Sequence, residues 1–98
     1  MKLLKGDIVV VVLQNPREKL IGVLDKVSDA GIYVRGLDLS YFDEWVTAVR
    51  NGEPALPMQD VFYPMWRVER VTRDTDSEEI PSMSRLFKER TGRELAEF

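Results

Sequence analysis

The run Ile8-Val9-Val10-Val11-Val12-Leu13 constrains this chain more than any other segment. It is shorter than an ordinary helix, and all but the last of its side chains are β-branched, which stiffens χ1 and suits a pleated strand. It carries no polar residue, so both of its faces are expected to be largely buried. Asp7 precedes it closely, and a run this short can neither cross a bilayer nor serve as a signal sequence. No membrane association is expected.

Asn15-Pro16 interrupts the pattern, because Pro has no backbone donor for a ladder, and Leu20–Val27 resumes as a second strand paired to the first as a hairpin. Gly22 lies inside that strand and predicts a bend. Asp29-Ala30-Gly31 supplies a turn, with Gly31 free to take the backbone conformations a turn needs, and Ile32–Leu37 reads as a third strand with Ile32, Val34 and Leu37 facing the core. The period then changes. Tyr41, Trp45 and Val49, flanked by Phe42 and Val46, share one face of a helix over about 41–50 within an insertion at about 40–51. Ser40 is the expected N-cap, Asp43 and Glu44 suit the positive end, and Arg50 with Gly52 suits the stop.

Pro54 and Pro57 make the return irregular. Val61–Tyr63 then reads as a fourth strand, Pro64 as a bend and Trp66–Thr72 as a fifth strand. After the acidic stretch Asp74–Glu79, Pro81 fits a first helical turn, Met83, Leu86 and Phe87 share a face, and Gly92 closes a helix near 81–91 within a segment at about 80–92. The fold class is mostly β: a strongly bent, five-stranded open barrel over about 6–72, with a helical insertion between strands three and four and a C-terminal helix.

At 98 residues, 44% hydrophobic and 32% charged, the chain suits one domain spanning 1–98. Cys and His are both absent, which removes thiol nucleophiles, thiolate and imidazole metal ligands and any Ser-His-Asp relay. No metal, cofactor or enzymatic activity is expected, since no positioned acid–base pair is visible either. Asp43 and Glu44 are neighbours that do not share a helix face. Asp74-Thr75-Asp76-Ser77-Glu78-Glu79 opens like a calcium loop, but Glu79 stands where the turn needs Gly and Arg85 where the last ligand should be Glu. It is read as a solvated connector. The lack of Cys suits a reducing, cytoplasmic location. The formal charge of −3 lacks the basic excess of a nucleic-acid module, and the segment 38–68 is the poorest in cations, so RNA is not the favoured partner.

Two spaced patterns resemble the Sm/LSm family, including its bacterial Hfq branch. Val9, Val11 and Leu13 leading to Gly22-x-Leu24-x-x-Val27 are similar to the family's first motif, with its glycine in the bent strand. Val61, Phe62, Tyr63, Val68 and Val71 follow the apolar spacing of the second. Pro64-Met65 stands where many members have Arg-Gly, Ser28 replaces the usual aspartate, and the turn at 29–31 lacks the family's base-contacting Asn. The resemblance implies barrels that assemble into a homo-oligomeric ring, here expected to act as a scaffold or interaction platform. The alternative is a ring that also binds single-stranded RNA at its pore-proximal turns.

The candidate residues follow from this reading. Tyr63, Met65, Trp66 and Arg67 form the turn between strands four and five, where aromatic rings could stack on bases and Arg67 could meet a phosphate, or where the rings simply fill a core or a subunit interface. Val61, Phe62 and Val68 lie on expected edge strands and are candidates for a subunit interface. Trp45 and Phe87 are candidates too, because each helix has an apolar face and one barrel offers limited outer surface; the alternative is that the helices cover the outer face of their own barrel. Gly22, Gly31 and Pro64 are expected to act structurally.

Overall fold

A computed structural model describes residues 2–98. The apolar run is β1 (Ile8–Leu13), which pairs with β2 (Glu18–Val27) on one side and β5 (Val68–Arg73) on the other; β3 (Gly31–Asp38) and β4 (Gln59–Pro64) extend the sheet beyond β2. All neighbours are antiparallel, the order is β4-β3-β2-β1-β5, and the sheet is not closed. Helix α1 (Phe42–Arg50) stands between β3 and β4, and α2 (Met83–Thr91) follows β5. No helix among the described residues is long and apolar enough to cross a membrane.

Strand alternation divides the apolar side chains between two clusters. Val9, Val11, Leu13, Leu20, Leu24, Ile32 and Val34 fill the inner face. Val61 and Tyr63 of β4 and Val68 and Val71 of β5 come from opposite ends of the sheet yet pack on this same cluster, so the sheet curls around it. On the outer face Ile21, with Ile8, Val23 and Leu37, meets α1 and α2. Leu37 thus belongs to the helical layer rather than to the inner core. Trp45 and Phe87 are fully buried there, stacked with ring centroids 5.1 Å apart, and Phe98 sets its edge against both. The indole Nε1 of Trp45 donates to the Leu56 carbonyl at 2.7 Å.

Trp45 and Phe87, named as candidates for a subunit contact, are instead covered within their own chain, which is the other of the two alternatives. The two apolar helix faces do not compete for outer surface, because they cover each other as well as one patch of β1, β2 and β3.

Several local details also differ. The first turn after β3 is a 3-10 turn at Leu39–Tyr41, and its cap is Asp38, whose carboxylate accepts from the Ser40 N–H at 2.8 Å and the Ser40 hydroxyl at 2.6 Å. Ser40 is therefore capped rather than capping, and its bonds hold the Asp38 pKa below the ordinary carboxylate value. β4 includes Pro64, a 3-10 turn occupies Met65–Arg67, and β5 begins only at Val68. Ser82 caps α2 by accepting from the Arg85 N–H, leaving Pro81 outside the helix, and Gly92 ends it at φ 75°.

The acidic connector is more than a solvated spacer. Asp74 accepts from the N–H groups of Met83 and Ser84 at 2.8 and 2.9 Å, and Asp76 accepts from Ser82 N–H at 2.7 Å. These carboxylates satisfy amides that the start of α2 leaves without helical partners. The Ser82 bond holds the Asp76 pKa low.

Gly22 pairs with Gly36 across β2 and β3, where the strands approach closely. A Cβ on Gly22 would fall on the Arg35 carbonyl oxygen and lie 2.7 Å from the Gly36 Cα, both backbone atoms that cannot step aside. Gly22→Val is expected to lower the stability measured by urea unfolding by about 1–3 kcal/mol. An unchanged midpoint would contradict the close approach.

Candidate functional site

The turn between β4 and β5 is held from two sides. The Met65 N–H donates to the Ala30 carbonyl at 2.9 Å, tying it to the β2–β3 turn. Gln14 ties it to the β1–β2 hairpin: its N–H donates to the Arg67 carbonyl and its side-chain amide to the Trp66 carbonyl, each at 2.8 Å. The backbone is thus fixed while the Trp66 side chain, 64% exposed, stands in solvent beside a partly exposed Met65.

Arg67 does not reach outward. Its Nε donates to the Gln14 carbonyl at 3.1 Å, and its Nη2 donates to the Pro16 carbonyl at 2.8 Å and to the Glu18 carboxylate at 3.0 Å. Its guanidinium lies 5.9 Å from the centre of the Tyr63 ring, and the side chain is only 17% exposed. The cation is spent on latching the turn to the hairpin, so it is not presented as a phosphate ligand. Tyr63 packs against the inner cluster, and its pKa is raised by burial and then by the Glu18 carboxylate, with Arg67 opposing. The phenol is neutral at physiological pH.

The edge residues divide by face. Val61, Tyr63 and Val68 turn inward to the chain's own core, whereas Phe62 is exposed on the outer face, 4.7 Å from the ring of Tyr33. Gly31 makes this arrangement possible, since a Cβ there would lie 2.8 Å from Phe62 Cε1 and Cζ.

The ladder bonds give the direction of the remaining backbone groups. In an antiparallel pair the hydrogen-bonded positions alternate. The bond from Met65 to Ala30 therefore sets Tyr63 and Val61 toward β3, and Asp60 and Phe62 toward the open side, with Pro64 at the position whose missing N–H costs no ladder bond. The bond from Asp74 N–H to the Ile8 carbonyl sets Thr72 and Arg70 toward β1 and Val71 outward. Among the described residues no backbone bond outside the sheet ladders takes up the outward groups of Asp60, Phe62 or Val71, and neither Asp60 nor Arg70 has an ion pair.

The structure therefore directs Tyr63 and Val68 inward, ties Arg67 to the hairpin, and leaves Phe62, Met65, Trp66 and the two strand edges facing out. Gln14, Glu18 and Tyr33 were missed by sequence reasoning. Tyr33 was detectable as the strand position alternating with Ile32 and Val34, while the Gln14 contacts span more than 50 residues and leave no local pattern. No protein-family model, curated protein or solved structure matches the chain.

Arg67→Met is expected to lose the latch and about 1–3 kcal/mol of stability in urea unfolding, because three acceptors lose their donor. Trp66→Ala should change stability by no more than about 0.5 kcal/mol. Equal effects of the two substitutions would contradict the different roles assigned to them.

Proposed function

We propose that this chain is a non-enzymatic, Sm-like scaffold whose copies join edge to edge, β4 of one against β5 of the next, into a homo-oligomeric ring. The observation that supports this is the pair of free edges at the two ends of one sheet. The inner face of the sheet is filled over most of its length by its own side chains and the helical layer covers part of its outer face, which leaves the edges as surfaces for self-association. The edges differ: β4 carries Asp60 and β5 carries Arg70, neither of which has an ion pair among the described residues, while Arg73 and Glu69 of β5 pair with Asp7 and Arg17. Unlike edges of opposite charge favour head-to-tail contact, and a head-to-tail contact that closes makes a ring. A cytoplasmic location fits the absence of Cys.

The exposed Trp66 and Met65 support a second reading, single-stranded RNA stacked at the turn. It ranks lower because Arg67 is engaged internally and the chain is acidic.

Light scattering after size exclusion is expected to give a mass several times 11.3 kDa for the parent chain. Asp60→Pro and Val71→Pro each remove an outward N–H without breaking a ladder bond, so each alone should be monomeric while their mixture forms a one-to-one pair joined through the intact edges. Trp45→Ala should melt earlier yet keep the parent's mass. A parent that stays monomeric at micromolar concentration overturns the ring, and submicromolar oligonucleotide binding lost in Trp66→Ala would promote the RNA reading.

A further inference from the structure

The inner face does not close completely at the end of the sheet where β2 begins. A cleft of about 340 Å³ lies between the start of β2, the end of β3 and the start of β4, and the bare backbone of Gly36 forms part of its lining. That volume is at the small end for a ligand site and suits one side chain or a small amine rather than a nucleotide cofactor. Its walls are partly apolar. Leu56 lines it while 62% exposed, and Leu20 and Val61 continue the apolar surface inward.

The charges in the cleft are one-sided. Lys19 and Leu37 border it, but strand alternation turns their side chains to the other face of the sheet, as the packing of Leu37 in the helical layer shows. The ionised side chains lining the cleft are those of Glu18 and Asp38, and the one cation bonded to either is Arg67, held by Glu18 at 3.0 Å. Arg67 takes one oxygen of Glu18, and Ser40 takes one oxygen of Asp38. The second oxygen of each carboxylate has no partner among the described residues, and neither does the hydroxyl of Tyr63, a residue that also lines the cleft, whereas Tyr41 borders it from the helical layer. The raised pKa of Tyr63 has Glu18 and Asp38 among its causes, in keeping with a negative field there.

We infer that this cleft receives a guanidinium group on an apolar stem, presented either by an arginine side chain of a partner protein or by a free arginine-like molecule. A planar fork of donors matches the two free carboxylate oxygens, and a guanidinium sheds water more readily than an ammonium group. The stem would cover Leu56 and Leu20. Gln59, Val61 and Tyr63 of β4 line the cleft, but the proposed contact uses inner-face side chains rather than the outward backbone groups of that edge, so it does not rest on the ring.

The test is a titration of the ¹⁵N-labelled chain with N-acetyl-arginine amide, its neutral isostere N-acetyl-citrulline amide and N-acetyl-lysine amide, followed by amide chemical shifts. The arginine compound should shift residues 36–38 and 59–63 saturably, the lysine compound more weakly and the citrulline compound not at all. Asp38→Asn keeps an acceptor for Ser40 but removes the charge, and should weaken binding at least about tenfold, as should Glu18→Gln, with Trp45 fluorescence reporting that each variant is folded. A pentapeptide centred on arginine that binds more tightly than the amide would assign the ligand to a partner protein; equal binding would assign it to a free small molecule. Citrulline binding as well as arginine, lysine binding better, shifts located elsewhere, no saturable shift, or full affinity in both folded variants would overturn the proposal.

Discussion

The structure depends on a sheet whose central strands are apolar on both faces. Val9, Val11 and Leu13 of β1 face inward, while Ile8 on the same strand and Ile21 and Val23 on β2 face the other way. Curling the sheet buries only the first set. The second needs a separate cover, and the insertion between β3 and β4 together with the segment after β5 supplies it. The helical layer is therefore a condition for the sheet, and the stack of Trp45 on Phe87 joins its two halves. Truncating either ring would leave a large cavity at that joint, a loss on the order of 3–5 kcal/mol in well-packed cores.

With the cover in place, the proposed contacts fall on the strand edges and the mouth of the curled sheet. Arg67 contributes to this indirectly. By bonding to the Gln14 and Pro16 carbonyls and to Glu18 it holds the β4–β5 turn against the hairpin, which fixes where the two edges point and leaves Glu18 half-satisfied at the mouth. One side chain thus links the fold to both proposed contacts. It acts by position, since its own charge is consumed in the latch.

Much of the fold was legible in the sequence because it is written in local patterns. The β-branched run, the alternation through Ile32 and Val34, the change of period at Tyr41 and Gly92 after Lys88 and Arg90 each state a conformation within a few residues. The partners of those elements were not legible. An apolar helix face says that it will be buried but not by what, so Trp45 and Phe87 pointed to a neighbouring subunit although they bury each other. Asp74 and Asp76 read as solvent-facing charge because their bonds to the start of α2 depend on the chain folding back. The charge of Arg67 was visible and its use was not, for the acceptors lie about 50 residues away. The cap was expected at Ser40, but the chain first enters a 3-10 turn, whose cap is Asp38.

Both apolar clusters are buried within one chain, which under the proposed ring leaves association to the strand edges. Amide hydrogen exchange at a series of protein concentrations tests it most directly, because it reads each backbone group separately. The account predicts that the amides of Asp60, Phe62 and Val71 exchange quickly in dilute solution and slow as concentration rises, while those of Val61, Tyr63 and Thr72 are protected throughout. Outward amides that exchange equally fast at every concentration, or concentration-dependent protection confined to the Trp45–Phe87 layer, would contradict it.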